Sequence, residues 1–328
     1  MNTTPTHDVA VLGGGAAGLS AAVALARSLR SVVVVDAGEP RNAPAGGAHN
    51  LLAREGVPPL ELLATGREEA QRYGAHLRRT RALAARRVDG GFDVELADGG
   101  TVRARRLLLA TGLVDELPEI PGIRRFWGTS VLHCPYCHGW EVRGQRIGVL
   151  GAGPASIHQA LLFRRLSEHV TLVRHSMPDP GEAAWEQLAA VGIRVVDAAA
   201  ERLRGTDGVL QALVLEDGQE IPLDALVVAP RFTARTELYE QLGGTPAEHP
   251  LGTCVATDAV GRTDLPGVWA AGNTADPAAM VSVAAGSGVV AAAAINADLL
   301  AEDTDAAVRA RSAASARPRG TRAGAAPR

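Results

Sequence analysis

The sequence predicts an α/β protein made of two Rossmann-like dinucleotide-binding domains, one inserted into the other. Three observations carry this. A strand, glycine turn, helix and strand open the chain; the same order of signals returns near residue 146; and both units close with similar segments. In the first unit Asp8 to Leu12 form an apolar strand, GGGAAG (Gly13 to Gly18) follows at once, and an alanine-rich helix runs to about Leu29. The strand SVVVVD then ends at Asp36, an acid about 20 positions after the glycines, as dinucleotide-binding units require. In the second unit RIGVL leads into GAGPAS (Gly151 to Ser156), a helix and the strand VTLV ending at Val173. Residues 95–112 and 215–231 each read as a strand, an Asp-Gly turn, a second strand and a buried apolar strand.

Domain boundaries follow from punctuation. PEIPGI (Pro118 to Ile123) reads as the crossing into the second unit and LGGTPAEHPLG (Leu242 to Gly252) as the return. The first domain is therefore assigned residues 1–116 plus 246–300, and the inserted one 117–245. The segment from Thr253, with LPGVWAAGN and an alanine-rich helix, suits completion of the first domain. From about Glu302 the chain is rich in Ala, Arg, Ser and Pro without periodicity, so 301–328 is expected to be a disordered tail.

With 328 residues, 46% hydrophobic and 21% charged, the chain can bury two cores. The formal charge of -3 favours neither nucleic acid nor an anionic membrane. The absence of lysine reflects coding bias. The stretch Val281 to Leu300 is mostly alanine and glycine, interrupted by Ser287, Asn296 and Asp298, and is not expected to span a membrane. No secretory signal is read at the N-terminus, so a cytoplasmic location is expected. In that setting stable structural disulfides are rare, and a CxxC pair among three cysteines points to catalysis or metal binding.

In a Rossmann turn Gly13 permits the tight bend, Gly15 lets backbone approach a pyrophosphate and Gly18 lets helix and strand pack closely. The pyrophosphate sits at a helix N-terminus, and Asp36 accepts from ribose hydroxyls. Further on, ATG (Ala110 to Gly112) and AAGN (Ala270 to Asn273) each close an apolar strand. On these segments the chain resembles the thioredoxin-reductase branch of the two-dinucleotide-binding flavoproteins, from about His7 to about Leu300. The resemblance implies FAD in the first unit, with Thr111 and Gly112 passing close to it and Gly272 and Asn273 at the ribityl chain. It also places Asn50, in GAHN, near the flavin. Asn273 stands where the family usually has aspartate, and Met280 where it usually has glutamine.

HCPYCHGWE (His133 to Glu141) is the sharpest signal. Two thiols separated by two residues form a small-loop disulfide that opens easily, and a helix N-terminus lowers a thiol pKa. His133 and His138 flank the pair as candidate bases. Three other readings compete. CPYCH matches a haem-c attachment pattern, His133, Cys134, Cys137 and His138 are zinc-type ligands, and two buried inert cysteines are the plain structural case. The haem reading lacks an export route, and adjacent residues converge poorly on a tetrahedral metal, so no metal is expected. The placement resembles prokaryotic-type thioredoxin reductases. That implies Cys137 facing the flavin and Cys134 exchanging with the external thiol or disulfide. His138 stands where those reductases usually carry an aspartate, and CPYCHGW is similar to the dithiol oxidases of gliotoxin and holomycin biosynthesis. In those enzymes a small-molecule dithiol reduces the disulfide, the pair reduces FAD, and oxygen yields hydrogen peroxide. Oxidising a thiol calls for a base near neutral pH, which imidazole supplies; the plain alternative has His138 only capping its helix.

In the second unit Gly151 and Gly153 remain, with Ser156 at the third small position. RHSMPDP (Arg174 to Pro180) follows where the reductases carry an arginine-rich clamp for a 2′-phosphate. Arg174 and His175 remain as possible phosphate contacts, but a clamp with one guanidinium binds weakly, so NADP(H) is doubtful and the site is read as vestigial or weak. Cys254 reads as a small buried hydrophobe; Tyr136 and Trp140 are either pocket lining or packing. The leading reading is an FAD-dependent dithiol oxidase acting on a small molecule or peptide, with O2 as acceptor, homodimeric by resemblance. The alternatives are an NADPH-dependent thioredoxin-type reductase and, outside enzymes, a flavin redox sensor or electron carrier.

Overall fold

The computed structural model describes residues 6–315. The first sheet is built from β1 (Thr6–Leu12), β2 (Val32–Asp36), β3 (His76–Arg79), β4 (Ala82–Val88), β5 (Gly91–Leu96) and β6 (Thr101–Leu109), in the order β3-β2-β1-β6-β5-β4. Helix α1 (Ala16–Arg27) follows β1, and α2 (Pro59–Arg72) precedes β3. β1, β2, β3 and β6 are mutually parallel, and the four valines of β2 are buried, as strands covered on both faces require. The sequence predicts two strands over residues 101–109; the structure has one. Its first half pairs antiparallel with β5, while Arg103 to Leu109 run parallel to β1. The chain leaves this domain through β7 (Leu113–Glu116).

The inserted domain begins with α3 (Ile123–Phe126), β8 (Val131–Leu132) and the four-residue α4 (Pro135–His138). The Rossmann unit proper follows: β9 (Ile147–Leu150), α5 (Ala155–Arg164), β10 (Val170–Val173), α6 (Glu182–Ala190) and β11 (Arg194–Val196). The antiparallel set β12 (Ala200–Thr206), β13 (Val209–Leu215) and β14 (Glu220–Pro222) forms its own sheet, and β15 (Ala225–Val227) enters the parallel one, ordered β11-β10-β9-β15-β8. Here the hairpin and the buried strand are separate, unlike in the first domain.

The chain returns through β16 (Arg231–Ala234), which pairs antiparallel with β7. This lies earlier than the Leu242 to Gly252 segment predicted for the return. The next helix, α7 (Glu237–Gln241), places Leu238 and Tyr239 in a core shared with Ala10, Leu12 and Val33 of the first sheet. The glycines at 243 and 244 thus end a helix that already belongs to the first domain. β17 (Ala247–His249) and β18 (Gly252–Cys254) extend the crossing sheet, with Cys254 buried. β19 (Val268–Ala270) adds to the first sheet beside Leu107–Leu109, as LPGVWAAGN led us to expect.

Helix α8 (Val281–Ser315) closes the domain by packing on α1, with Ala291, Ala292, Ile295 and Leu299 against Ala21, Ala22 and Leu25. The two helices approach so closely at Gly288 that a Cβ there would lie 2.0 Å from the Ala17 carbonyl oxygen. Among the described residues α8 is the one helix long and apolar enough to cross a membrane, but this face is taken up by α1. The helix also runs past residue 300, where a disordered tail was expected. Arg105 meets Glu302 at 2.9 Å and Asp303 at 2.5 Å, Arg30 meets Asp303 at 2.7 Å, and Arg106 bonds Glu302 and Asp298. Ion pairs across the chain, not apolar periodicity, hold this extension. The rest of the predicted tail, 316–328, lies outside the described residues.

One buried charge is central to the first sheet. Asp93 is 1% exposed and accepts hydrogen bonds from Arg103 at 2.6 and 2.8 Å and from Arg86 at 2.6 Å. The Arg103 bonds, then the charges of both arginines, hold its carboxyl below the usual range. Its stabilisation is therefore complete above the ordinary aspartate pKa and lost as pH falls through the lowered one. Asp93→Ala is expected to cost somewhat less than the ~3–5 kcal/mol of a fully buried pair, because both arginines are half in solvent. Asp93→Asn should flatten the acid limb of stability in denaturant titrations from pH 7 to 3. An acid limb unchanged in Asp93→Asn contradicts the assignment.

Candidate active site

The two glycine turns fold differently. At the first, Gly13 has φ +114°, and a Cβ there would sit 2.1 Å from the Ala110 carbonyl oxygen; at Gly18 one would sit 1.9 Å from the Gly13 oxygen. Both positions need glycine so that strand, turn and helix can touch. Gly15, the N-cap of α1, is the opposite case: a Cβ there would meet nothing within 4 Å. No side chain caps α1, and no acid sits in its first turn. Its open amides face a cleft of about 1100 Å³.

That cleft brings together most of the predicted residues. Gly13, Gly15, Asp36, Thr111, Gly112, Gly272 and Asn273 line it, and so do His133, Cys134, Cys137, His138 and Met280. Gly18 lies behind the turn as packing. Asn50 does not line the cleft: its Nδ2 donates to the Tyr136 carbonyl at 2.8 Å, fastening the first domain to the CxxC loop. Tyr136 and Trp140 also lie outside it and are 65% and 67% exposed, with Arg143 stacked 4.0 Å from the Trp140 ring centre. Thr111 is used twice over, donating to the Arg235 carbonyl and sharing a 3.1 Å bond with the Thr274 hydroxyl, which also accepts from the Gly112 amide.

The redox pair sits on α4, with Cys134 as N-cap and proline at the first helical position. The Cys137 thiol donates to Cys134, and the Tyr136 and Cys137 amides also point at it, drawing the Cys134 pKa down to about 6 against burial. The shared proton and burial hold the Cys137 thiol well above its usual range. The reduced pair is thus a monothiolate near neutral pH, its charge centred on Cys134.

Both neighbouring imidazoles are held neutral. Burial lowers the His138 pKa, the Glu141 carboxylate opposes this, and its buried Nε2 has no protein partner. Burial and the charge of Arg41 lower His133, whose buried Nδ1 also lacks a protein partner and whose ring packs edge-on against Phe232 at 4.9 Å between ring centres. Sequence reasoning missed Arg41, Asp115 and Phe232, which line the same cleft. It also missed the cross-domain contact of His49 with Glu141 at 3.5 Å. No local motif marks these residues, because their contacts join distant segments.

The second glycine turn does not contribute to this cleft; Gly151, Gly153 and Arg174 are not among its lining residues. A Cβ on Gly151 would lie 2.6 Å from the Arg174 carbonyl oxygen, so this glycine is needed for packing. Ser156 is fully buried, accepting from the Ala152 amide and donating to the Leu150 carbonyl. Arg174 pairs with Asp197 at 3.2 Å.

A family profile described as pyridine nucleotide-disulphide oxidoreductase matches residues 7–293. The chain belongs to this family. Within it the chain is similar to thioredoxin reductase tcpT of Claviceps purpurea, 35% identical over 92% of this chain and 97% of that one. It is also 31% identical to thioredoxin reductase sirT of Leptosphaeria maculans, over 92% of this chain and 98% of the relative. Among solved structures, HlmI superposes with a TM-score of 0.88 at 41% identity, covering 96% of this chain and all of the other. An oxidoreductase from Agrobacterium tumefaciens gives 0.85 at 38%, covering 90% and 99%.

This pyridine nucleotide-disulphide oxidoreductase is an FAD-dependent thiol–disulfide enzyme of the thioredoxin-reductase type. The first turn fits the cofactor: open helical amides at Gly15, Asp36 at the end of β2 and a continuous cleft to the cysteines. Gly15→Val should therefore leave the unfolding midpoint of the apoprotein unchanged while weakening FAD binding by more than about tenfold, or 1.4 kcal/mol. Flavin retained at wild-type affinity would place the pyrophosphate elsewhere.

Proposed function

We propose that the chain is a dithiol oxidase that closes a disulfide in a small molecule or peptide and passes the electron pair to O2. The observation that carries this is the arrangement of the one cleft. The redox cysteines, His133 and His138 line it, each imidazole keeping one buried nitrogen without a protein partner, whereas the second glycine turn does not line it and Arg174 is paired to Asp197. A carboxylate beside the one clamp arginine disfavours a 2′-phosphate.

FAD would be held by the amides around Gly13 and Gly15, by Asp36 and by the backbone at Thr111, Gly112 and Gly272, which line the cleft. When bound, it accepts two electrons from a dithiol and returns them to oxygen. The protein's residues do the rest. With the pair oxidised, His138 Nε2 takes the proton of one substrate thiol, and that sulfur attacks Cys134 Sγ, breaking the Cys134–Cys137 bond. The second substrate thiol, its proton passing to the freed Cys137 sulfur, then attacks the first substrate sulfur, releasing Cys134 as the thiolate. A low pKa makes Cys134 the better leaving group, consistent with an exchanging role for it and a flavin-facing one for Cys137. The substrate loses two electrons and two protons, which leave on H2O2. His133, buried against Phe232, shapes the pocket.

The reductase reading draws on the names of the relatives, thioredoxin reductases, and on the open space above Gly153. We place the enzyme in the cytoplasm as a homodimer.

Two measurements test this reading. Mixed anaerobically, the yellow protein should bleach rapidly with a small dithiol and slowly or not at all with NADPH; in air the dithiol should drive oxygen uptake with equimolar H2O2. Rapid bleaching by NADPH contradicts the oxidase reading, and no reaction with either reagent favours a sensor. His138→Gln should lower kcat/KM for dithiols about 100-fold. Because His138 is neutral above its lowered pKa, wild-type kcat/KM should hold through the ordinary histidine range and fall only at lower pH, and the variant should lose that limb. A limb that survives in His138→Gln assigns the base elsewhere.

A further inference from the structure

A hairpin of the first domain reaches across to the redox helix. Its base is the antiparallel bridge between Ala48 and Val57, closed by the Ala48 amide on the Val57 carbonyl at 2.8 Å and the Gly56 amide on the Ala48 carbonyl at 3.0 Å. Its tip gains nothing from packing, since Leu52 is fully exposed. One carboxylate sets the shape instead. Glu55 holds His49 Nδ1 at 2.6 Å on one oxygen and accepts from the Asn50 main-chain amide at 2.9 Å on the other. Asn50 sits at φ +61°, a left-handed conformation that asparagine tolerates better than most residues. Both residues gripped by Glu55 then reach the inserted domain. Asn50 Nδ2 donates to the carbonyl of Tyr136, the residue before Cys137, at 2.8 Å, and His49 Nε2 lies 3.5 Å from the Glu141 carboxylate, just past the helix. The helix needs such support: α4 is a single turn of four residues, none of them buried.

We infer that Ala48–Val57 is a strap that holds the redox helix in place over the cleft, and that Glu55 is its positioning residue, acting through His49 and Asn50. The β7–β16 pair fixes the inserted domain where the chain crosses; the strap fixes the segment that carries the sulfur. Two steps make different demands on that segment. Exchange between Cys134 and an external thiol needs only access to the sulfur. Passage of electrons from the pair to a flavin in the cleft needs close contact, which a shift of about 1 Å spoils. Loss of the strap therefore separates the two steps. Glu55 is 65% exposed at its side chain and packs in no core, so its removal leaves the fold intact. The inference rests on Cys134 and Cys137 being the redox pair and on FAD in the cleft; it does not depend on the electron acceptor or on the direction of flow.

The test mixes oxidised holoenzyme anaerobically with dithiothreitol, at concentrations that saturate the wild-type rate, and follows two signals. Dithiothreitol leaves as its cyclic disulfide and opens the Cys134–Cys137 bond; the freed thiols are counted by acid quench, alkylation and peptide mass spectrometry. The pair then gives two electrons to the flavin and closes again, which the flavin absorbance band reports. In Glu55→Ala and Asn50→Ala the freed thiols should appear at least as early as in the wild type, while bleaching slows about tenfold or more. The double variant should fall well short of the product of the two effects, because both act through one strap. Glu55→Gln, which still accepts from the Asn50 amide, should recover part of the rate. Deuterium uptake by the resting variants should rise at the amides of residues 136–141 and stay unchanged in β1 and β6. Bleaching at the wild-type rate, slowing of both steps together, or unchanged uptake at 136–141 overturns the inference. Flavin lost from Glu55→Ala would make the hairpin a cofactor contact instead. If dithiothreitol frees no thiol at 134 and 137 in the wild type, the redox pair itself is misassigned and the strap falls with it.

Discussion

Two short strands, Leu113–Glu116 and Arg231–Ala234, carry the chain out of the first domain and back, and the cleft depends on their antiparallel pairing. The pairing fixes where the inserted domain sits over the first, so that α4 faces the glycine turn at Gly13 to Gly15. It also sets Asp115 opposite Phe232, which mounts Arg41 from one side and packs His133 from the other. A strand pair with one buried face at such a junction has little register freedom, since a slip of one residue would turn both side chains to the wrong face. Lateral contacts add to it: Asn50 on the Tyr136 carbonyl and His49 on Glu141 tie the CxxC loop to the first domain.

The chemistry at the pair follows from asymmetry between two otherwise similar thiols. Cys134 caps a helix and receives donors; Cys137 lies within the helix and supplies one. That difference favours the second exchange step, in which Cys134, the sulfur that better bears charge, is released. Imidazoles kept neutral by burial complete the arrangement, since a charged histidine could not receive a thiol proton.

Features written in contiguous residues were legible from the sequence. Both glycine turns, Asp36 closing β2, β19 rejoining the first sheet and the cysteine at a helix start each depend on a short run of side chains with a defined backbone need. What escaped depends on partners far along the chain. Arg41 carries no motif, and its place in the cleft depends on residues 115, 232 and 273 converging on it. The helix beyond residue 300 looked structureless because its ordering comes from Arg30, Arg105 and Arg106, not from an apolar stripe. The return point was misplaced because a Gly-Gly pair at 243–244 reads as a linker, while the packing of Leu238 and Tyr239 that assigns α7 to the first core is not visible locally. The second glycine turn shows the converse: Gly151 and Ser156 persist for packing, so a motif alone does not establish a ligand.

The central claim is that electrons enter through sulfur at positions 134 and 137 before reaching the flavin. Anaerobic stopped-flow mixing of the FAD-loaded protein with a small dithiol, followed at the flavin absorbance band, tests it most directly. The account predicts rapid two-electron bleaching in the wild type and a persistently oxidised spectrum in Cys134→Ser and Cys137→Ser. Bleaching at the wild-type rate in either variant would contradict it.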